Sequence, residues 1–345
     1  MSRTTVHGGA FARMLALIAL LVFIGAVAYG VYDVNRFSQA PLTVSGPGES
    51  LDIARGTRFT SIVQALRQRG MTQANAVYWR VLAEQMRLAG KLHAGEYAIS
   101  PGLTPRQLLL NMAGGKVLQR NFTIVDGWTF AQLRDALAHA DMLDHDSAGL
   151  DDATLMKKIS AMGEAPEGRF LPETYAYVKG DTELDILKRA HAAMTRTLDT
   201  LWLRRDKGLP LATAYDALIL ASIVEKETGR ADERPRIAGV FVRRLEDHMM
   251  LQTDPSVIYG MGTQYTGTIH KNDLTTDTPY NSYTRAGLPP TPIELPGKPA
   301  LLAVMHPAEG NELYFVARGD GGHVFASTLE AHNRNVDCYQ RKHCQ

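Results

Sequence analysis

Two glutamates at the end of a predicted apolar helix are the side chains best placed to carry chemistry. They are Glu225 and Glu227 in the segment EKET, which Gly229 follows directly. Because a helix turns by ~100° per residue, Glu227 continues a wholly apolar stripe (220, 223 and 224), whereas Glu225 continues a smaller and more polar one. Burial and the negative end of the helix dipole both disfavour a carboxylate, so the pKa of Glu227 is expected to rise. A carboxyl group that keeps its proton near neutral pH can act as a general acid.

An alternative interpretation of this segment requires no catalysis. In it both glutamates are solvated charges on a frayed helix end, and Lys226 between them is expected to lie on the surface. The sequence has no G-x-S-x-G, S-x-x-K or H-E-x-x-H motif, no P-loop and no glycine-rich dinucleotide fingerprint. The histidines are scattered, and His306, His323 and His332 are expected to be structural or surface residues rather than ligands.

The elements that must position the glutamates indicate an α+β (mixed α/β) fold. Residues 51–116 are predicted to form a small unit of one strand, two helices, a second strand and a third helix. Residues 117–335 follow a larger mixed pattern, in which two long helices lead up to the EKET segment. The chain is therefore expected to contain a small unit followed by a larger one that carries the chemistry.

The residues after these helices are rich in Pro, Tyr, Thr and Asn. They span 251–300, and a structureless stretch of this length is usually functional. A hairpin is predicted around residues 319–322, and residues 336–345 are predicted to be a tail. This tail holds both cysteines, Cys338 and Cys344, which form no CxxC pair. Two tail thiols are one interpretation, and a small disulfide loop between them is the alternative if the tail lies outside the cytoplasm.

The N-terminal segment indicates the compartment. Residues 14–32 are 19 uncharged residues, enough to cross a ~30 Å hydrocarbon core as a helix. Arginines precede this segment, so the positive-inside rule places residues 1–13 in the cytoplasm and the chain from residue 33 on the other side, after a linker over 33–50. The expected location is the inner membrane, with a single span and a periplasmic catalytic domain. A signal peptide cleaved near residues 26–28 is the competing interpretation.

Charge in this sequence is almost balanced, at 37 Lys+Arg against 36 Asp+Glu. No run of Lys or Arg is longer than two residues. A nucleic-acid binder usually has a basic face, so we predict no nucleic-acid partner. The balanced charge of the sequence is easier to reconcile with an uncharged partner than with an anionic one.

Five separated segments together resemble a known family, the membrane-anchored endolytic murein transglycosylases, or YceG-like proteins. The segments are EGRFLPETY (167–175), LASIVEKET (220–228), LQTDPSVIYGMG (251–262), TPYNSYTRAGLPPTPI (278–293) and LYFVARGDGGHVF (313–325). They occur in the family's order over residues 117–335. The small unit at 51–116 is similar to the LysM-like βααβ subdomain of the same proteins.

The resemblance implies cleavage of the MurNAc–GlcNAc β-1,4 bond inside nascent peptidoglycan strands. The products carry 1,6-anhydroMurNAc ends, and the cut terminates glycan elongation. The family's catalytic glutamate corresponds to Glu227, the same side chain that the helical-wheel argument selects. One carboxyl group suffices because the sugar's own C6 hydroxyl attacks C1: Glu227 protonates the leaving oxygen and then accepts the hydroxyl proton. No metal or cofactor is needed.

The two matched loops also contain the residues expected to bind glycan. Hydrogen bonds are expected from Gln252, Thr253, Asp254, Asn281 and Tyr283, and stacking on sugar faces from Tyr259 and Tyr280. Each of them has an alternative interpretation as a turn-forming or loop-packing residue. Glu225 is the candidate second acid, and Glu167, which precedes Gly168, is expected to be a structural cap rather than an acid.

Two other functions remain open from the sequence. One is a non-catalytic scaffold, whose LysM-like unit holds glycan near a synthesis complex. The other is a muramidase-type hydrolase that uses Glu227 with Glu225 or Asp254. In each case the expected partner is a peptidoglycan glycan strand, and the family suggests peptidoglycan synthases as further partners.

Overall fold

The computed structural model describes residues 8–46 and 48–342 of the chain. The chain divides into two compact units, Met1–Gln119 and Arg120–Gln345, and each is described by itself. Among the described residues the strands form three separate two-stranded sheets, so helices make up most of the structure. The mixed α/β class expected from the sequence is confirmed.

The first unit begins with helix α1, Gly8–Gln39. Within the described part of the chain, Phe11–Gln39 is the one helix that is long and apolar enough to cross a membrane. The helix continues past the apolar segment, and Phe37 packs edge-on against Trp79, with ring centroids 5.3 Å apart. The hydroxyl of Tyr78 donates a hydrogen bond to Asp33. The end of α1 is therefore fastened to the rest of this unit.

The remainder of the first unit has the expected order of strand, helix, helix and strand. These elements are β1 (Ser50–Ile53), α2 (Phe59–Gln68), α3 (Ala76–Gln85) and β2 (Gly95–Ala98), and α4 (Pro105–Ala113) follows them. The two strands are antiparallel, with Leu51 opposite Tyr97. Both side chains are 1% exposed, so the strand pair closes a small apolar core over the helices.

The second unit opens with a small sheet of its own. The elements are β3 (Gln119–Thr123), α5 (Phe130–Ala138), α6 (Asp152–Lys158) and β4 (Thr174–Val178), and β3 pairs with β4. Thr129 and Gln132 form a capping box at the start of α5, which satisfies backbone N–H groups that have no partner within the helix. This capping box marks the residue at which α5 begins.

Three long helices form the centre of the second unit: α7 (Glu183–Leu203), α8 (Ala214–Glu227) and α9 (Arg234–Glu246). Helix α8 is apolar all round, and its residues 217–224 are all buried. A helix of this composition is stable in water only when other elements surround it. Its buried position brings the last residue, Glu227, to a defined place beside the neighbouring segments.

The prediction of a structureless stretch over residues 251–300 is wrong. This stretch contains α10 (Asp254–Met261), a 3₁₀ turn (Gly262–Gln264), α11 (Lys271–Thr275) and the start of α12 (Lys298–Met305). Pro255 occupies the first turn of α10, where its missing N–H costs nothing. The Asp-Pro pair therefore begins a helix here, although it is also common in turns.

The chain ends in a hairpin and a further helix. Strands β5 (Tyr314–Ala317) and β6 (His323–Ala326) pair as the sequence predicts, and α13 (Leu329–Tyr339) follows them. Helix α13, which the sequence analysis missed, crosses the start of the predicted tail at residue 336. Its His332 ring stacks on Tyr314 with centroids 5.2 Å apart. Cys344 lies outside the described residues, and so does the choice between two thiols and a disulfide at Cys338 and Cys344.

Candidate active site

A cavity of about 420 Å³ in the second unit contains Glu227. Its walls come from the end of α8, the segment around the start of α10, the hairpin β5–β6 and helix α13. The polar residues that line it are Glu227, Arg244, Gln252, Asp254, Tyr283, Tyr314, His323, His332 and Gln340. This set provides carboxyl, hydroxyl, amide, imidazole and guanidinium groups in one concave site, an arrangement typical of ligand-binding pockets.

Glu227 is the last residue of α8 and is half-buried in the cavity wall. Its Oε1 atom accepts a hydrogen bond from the hydroxyl of Thr253. Burial raises the pKa of Glu227 to about 7, while the Thr253 hydroxyl acts in the opposite direction. The carboxylate of Asp254 raises this pKa further. Glu227 therefore keeps its proton at a higher pH than an ordinary glutamate does, as a general acid requires.

Glu225 has different surroundings, and it does not line this cavity. Its Oε1 lies 3.3 Å from Nη2 of Arg234. Its Oε2 accepts a hydrogen bond of 3.1 Å from the backbone N–H of Gly297. Burial raises the pKa of Glu225 as well, with Arg234 opposing the change. The geometry therefore gives Glu225 a structural role, connecting α8 to the start of α9 and to the turn before α12.

Four of the predicted glycan-binding residues lie at the cavity. Gln252, Asp254 and Tyr283 line it, and Thr253 reaches Glu227 directly. The Tyr283 hydroxyl donates a hydrogen bond of 2.6 Å to Oδ1 of Asp254. Burial, together with this bond, raises the pKa of Tyr283, so the phenol stays protonated and can donate.

Tyr259, Tyr280 and Asn281 do not line this cavity. The hydroxyl of Tyr280 pairs with Thr291 at 2.8 Å, and the ring contacts Tyr259 edge-on with centroids 4.8 Å apart. Asn281 is 1% exposed, and its Nδ2 donates to backbone carbonyl groups between residues 273 and 276. Its Oδ1 accepts a hydrogen bond of 2.9 Å from the N–H of Tyr283. These contacts make Asn281 a support for Tyr283.

Two further charged residues have structural partners. Glu167 accepts a hydrogen bond of 2.9 Å from the N–H of Phe130, at the first residue of α5, which is the capping position expected from the sequence. Lys226 is half-exposed, but its Nζ lies 3.0 Å from Glu294, whose side chain is 1% exposed. Burial raises the pKa of Glu294 to about 7, and Lys226 opposes the change. Lys226 therefore forms an ion pair with a buried carboxyl group, in addition to lying at the surface.

Among the polar residues that line the cavity, the sequence analysis missed Arg244, Tyr314, His323, His332 and Gln340. Arg244 is buried, and its guanidinium donates to the carbonyl groups of residues 250, 251 and 313. It also donates to Oε1 of Gln252 at 3.3 Å. Gln252 has a φ of +51°, a left-handed conformation that costs energy for any residue except glycine. His323 lay within a matched segment, and nothing in the sequence pattern distinguished Arg244.

Comparison with known proteins identifies the family. A model of the YceG-like family matches residues 51–338. The chain belongs to the YceG-like family. The matched residues include both the small βααβ unit and the helix that ends at Glu227. The assignment agrees with the resemblance of the five sequence segments.

Individual relatives of this YceG-like chain have been named and, in one case, crystallised. The chain is 26% identical over 341 residues to an endolytic murein transglycosylase of Bacillus subtilis, covering 92% of this chain and 91% of the relative. It is 25% identical to an endolytic murein transglycosylase of Streptococcus pneumoniae, covering 93% of this chain and 64% of the relative. The crystal structure of a YceG-like protein of Listeria monocytogenes is similar at 27% identity and a TM-score of 0.52, covering 83% of this chain and 99% of that one.

Proposed function

We propose that this chain is a lytic transglycosylase that cuts peptidoglycan glycan strands internally, with Glu227 as its general acid and base. The observation that carries the proposal is a carboxyl group with a pKa of about 7 in a cavity lined by hydrogen-bonding side chains. Membership of the YceG-like family supports it, since relatives over most of this chain's length are named endolytic murein transglycosylases.

The proposed reaction needs one proton donor that recovers its proton. Protonated Glu227 gives its proton to the oxygen between MurNAc and GlcNAc as the bond from C1 to that oxygen breaks. The C6 hydroxyl of the same MurNAc then forms the new bond to C1, and its proton passes to the Glu227 carboxylate. Because the attacking hydroxyl belongs to the sugar, no water is consumed, and proximity lowers the barrier to ring closure.

The surrounding side chains supply contacts for the sugar. In this proposal the amide of Gln252, the hydroxyl of Tyr283 and the carboxylate of Asp254 bind glycan. Thr253 positions the Glu227 carboxyl group, whereas Tyr259, Tyr280 and Asn281 shape the loops behind the cavity. No step of this mechanism calls for a metal ion or a cofactor.

A hydrolase is the second candidate, because Asp254 places another carboxyl group in the same cavity. A muramidase uses two carboxyl groups and adds water to the cut bond. We expect the purified full-length protein to release fragments with 1,6-anhydroMurNAc ends from peptidoglycan sacculi. Mass spectrometry checks this, since hydrolysis products are heavier by one water. Reducing MurNAc ends would exclude the transglycosylase mechanism in favour of the muramidase, and no cleavage would favour a scaffold.

A second prediction concerns the pH dependence of cleavage. The reaction requires protonated Glu227, so the rate should fall as the pH rises above about 7, the pKa of this group. Thr253→Val removes the hydroxyl that stabilises the carboxylate form, which raises the pKa and moves this decline to higher pH. Rates of strand cleavage between pH 5 and pH 9 measure the effect. Thr291→Val, which alters a hydroxyl paired with Tyr280, is the control and should leave the decline unchanged.

The proposal also includes the cellular location of the protein. Residues 14–32 anchor it in the inner membrane, residues 1–13 lie in the cytoplasm, and the cavity lies on the periplasmic side. The small βααβ unit acts as a LysM-like glycan-binding module near the membrane. Cleavage there would act on nascent strands and terminate their elongation, which makes peptidoglycan synthases the expected partners.

A further inference from the structure

His323 lies in the wall of the cavity that contains Glu227, and the mechanism proposed above makes no use of it. It is the first residue of β6, so its backbone is held in the hairpin. Its side chain is 11% exposed. The ring packs at right angles to Phe315, with centroids 5.4 Å apart. The imidazole is therefore largely buried and packed against Phe315 in the cavity wall.

Glu233 contacts both the ring and the backbone of His323. Its Oε2 lies 2.7 Å from Nδ1 of the ring, and its Oε1 accepts a hydrogen bond of 3.0 Å from the backbone N–H. Burial works to raise the pKa of Glu233, but the hydrogen bonds from His323 outweigh burial and hold this pKa below its usual value. Glu233 is thus a carboxylate, which can only accept hydrogen bonds, so the ring proton sits on Nδ1. In the neutral ring, Nε2 is left as an acceptor.

Nε2 of His323 is available to a ligand. Over residues 8–46 and 48–342, no side chain or backbone group forms a hydrogen bond with this atom. His306 provides a contrast, since its Nδ1 lies at the same distance of 2.7 Å from a carboxylate, that of Asp206. The His306 side chain is 39% exposed and lies outside the cavity. His323, unlike His306, therefore places a carboxylate-bound imidazole in the wall of the cavity that contains Glu227.

We propose that His323 contacts the glycan strand: Glu233 orients the ring, and Nε2 accepts a hydrogen bond from a hydroxyl group of the sugar bound beside Glu227. This inference rests on the proposed function, because it presumes a sugar in the cavity. A carboxylate that fixes the tautomer of a histidine through its other nitrogen is a common way to prepare such a ring for binding.

Two substitutions separate the two nitrogens of the ring. His323→Asn keeps an amide near the Nδ1 position, where it can still donate to Glu233, but it leaves nothing at the Nε2 position. His323→Gln places an amide oxygen near the Nε2 position. The assay uses full-length protein in detergent and peptide-free glycan strands prepared from sacculi, with rates measured at neutral pH. His306→Gln is the matched control.

At neutral pH we expect His323→Asn to cleave about tenfold more slowly than the wild type, the effect of one lost hydrogen bond, and His323→Gln to keep most of the rate. His306→Gln should match the wild type. A wild-type rate for folded His323→Asn, or a rate for folded His323→Gln that is also about tenfold below the wild type, would overturn the inference. If one variant fails to fold, the other still decides. A wild-type protein that releases no fragments at all would instead refute the proposed function.

Discussion

Glu227→Gln should lower the rate of glycan cleavage by about a thousandfold while leaving the protein folded. The amide has nearly the shape of the carboxyl group and can still contact Thr253, but it cannot donate a proton to the leaving oxygen. Release of soluble fragments from sacculi measures the loss, and thermal unfolding checks the fold. Because burial favours the uncharged form of Glu227, the neutral amide resembles the form of the side chain that acts as the acid.

Glu225→Gln is the matched control, two residues earlier on the same helix. Its carboxylate contacts Arg234 and the N–H of Gly297 rather than the cavity, so the amide should weaken an ion pair and lower the stability of the fold. Each folded molecule should nevertheless cleave at the wild-type rate. The opposite ranking, with Glu225→Gln inactive and folded, would assign the acid to Glu225 and would remove the basis of the proposed mechanism.

Asn281→Ala should destabilise the protein by about 3 kcal/mol. The substitution removes the amide that serves the carbonyl groups between residues 273 and 276 and the N–H of Tyr283, and these backbone groups would lose a buried partner. Chemical denaturation of the full-length protein measures the loss. Cleavage should fall too, since Tyr283 would no longer be held beside Asp254.

Asn272→Ala supplies the comparison, because this nearby side chain is exposed. It should change the free energy of unfolding by less than about 0.5 kcal/mol. A glycan-contacting Asn281 predicts a different pattern, in which stability is unchanged and only the apparent KM for strands rises. That result would return Asn281 to the binding site proposed from the sequence and would contradict the supporting role described here.

Periodicity in the sequence was sufficient to locate α8 and to predict that its two glutamates have different surroundings. The eight buried positions of this helix leave little choice of orientation, so the wheel argument correctly placed Glu227 and Glu225 in different surroundings. Capping residues such as Thr129 are similarly local, because the cap and the groups that it satisfies are three residues apart. Such features are local, and local sequence therefore predicts them.

The stretch over 251–300 shows where local patterns stop being informative. Helices of eight and five residues are too short to form a clear apolar stripe, and isolated helices of this length are marginal in water. They are stable here because groups distant in the sequence satisfy them, as Ser282 does by accepting a hydrogen bond of 2.9 Å from the N–H of Thr253. The same reason explains why Asn281 suggested glycan contact in the sequence and supports a loop in the structure.

The sequence by itself therefore determined an apolar N-terminal helix, a buried helix ending in an acid, a terminal hairpin and the family. Only the tertiary structure decided which groups meet that acid. His323 and Glu233 are separated by 90 residues along the chain, and Thr253 and Glu227 by 26. Helix periodicity extends over a few turns, whereas a cavity is built from segments that packing alone brings together.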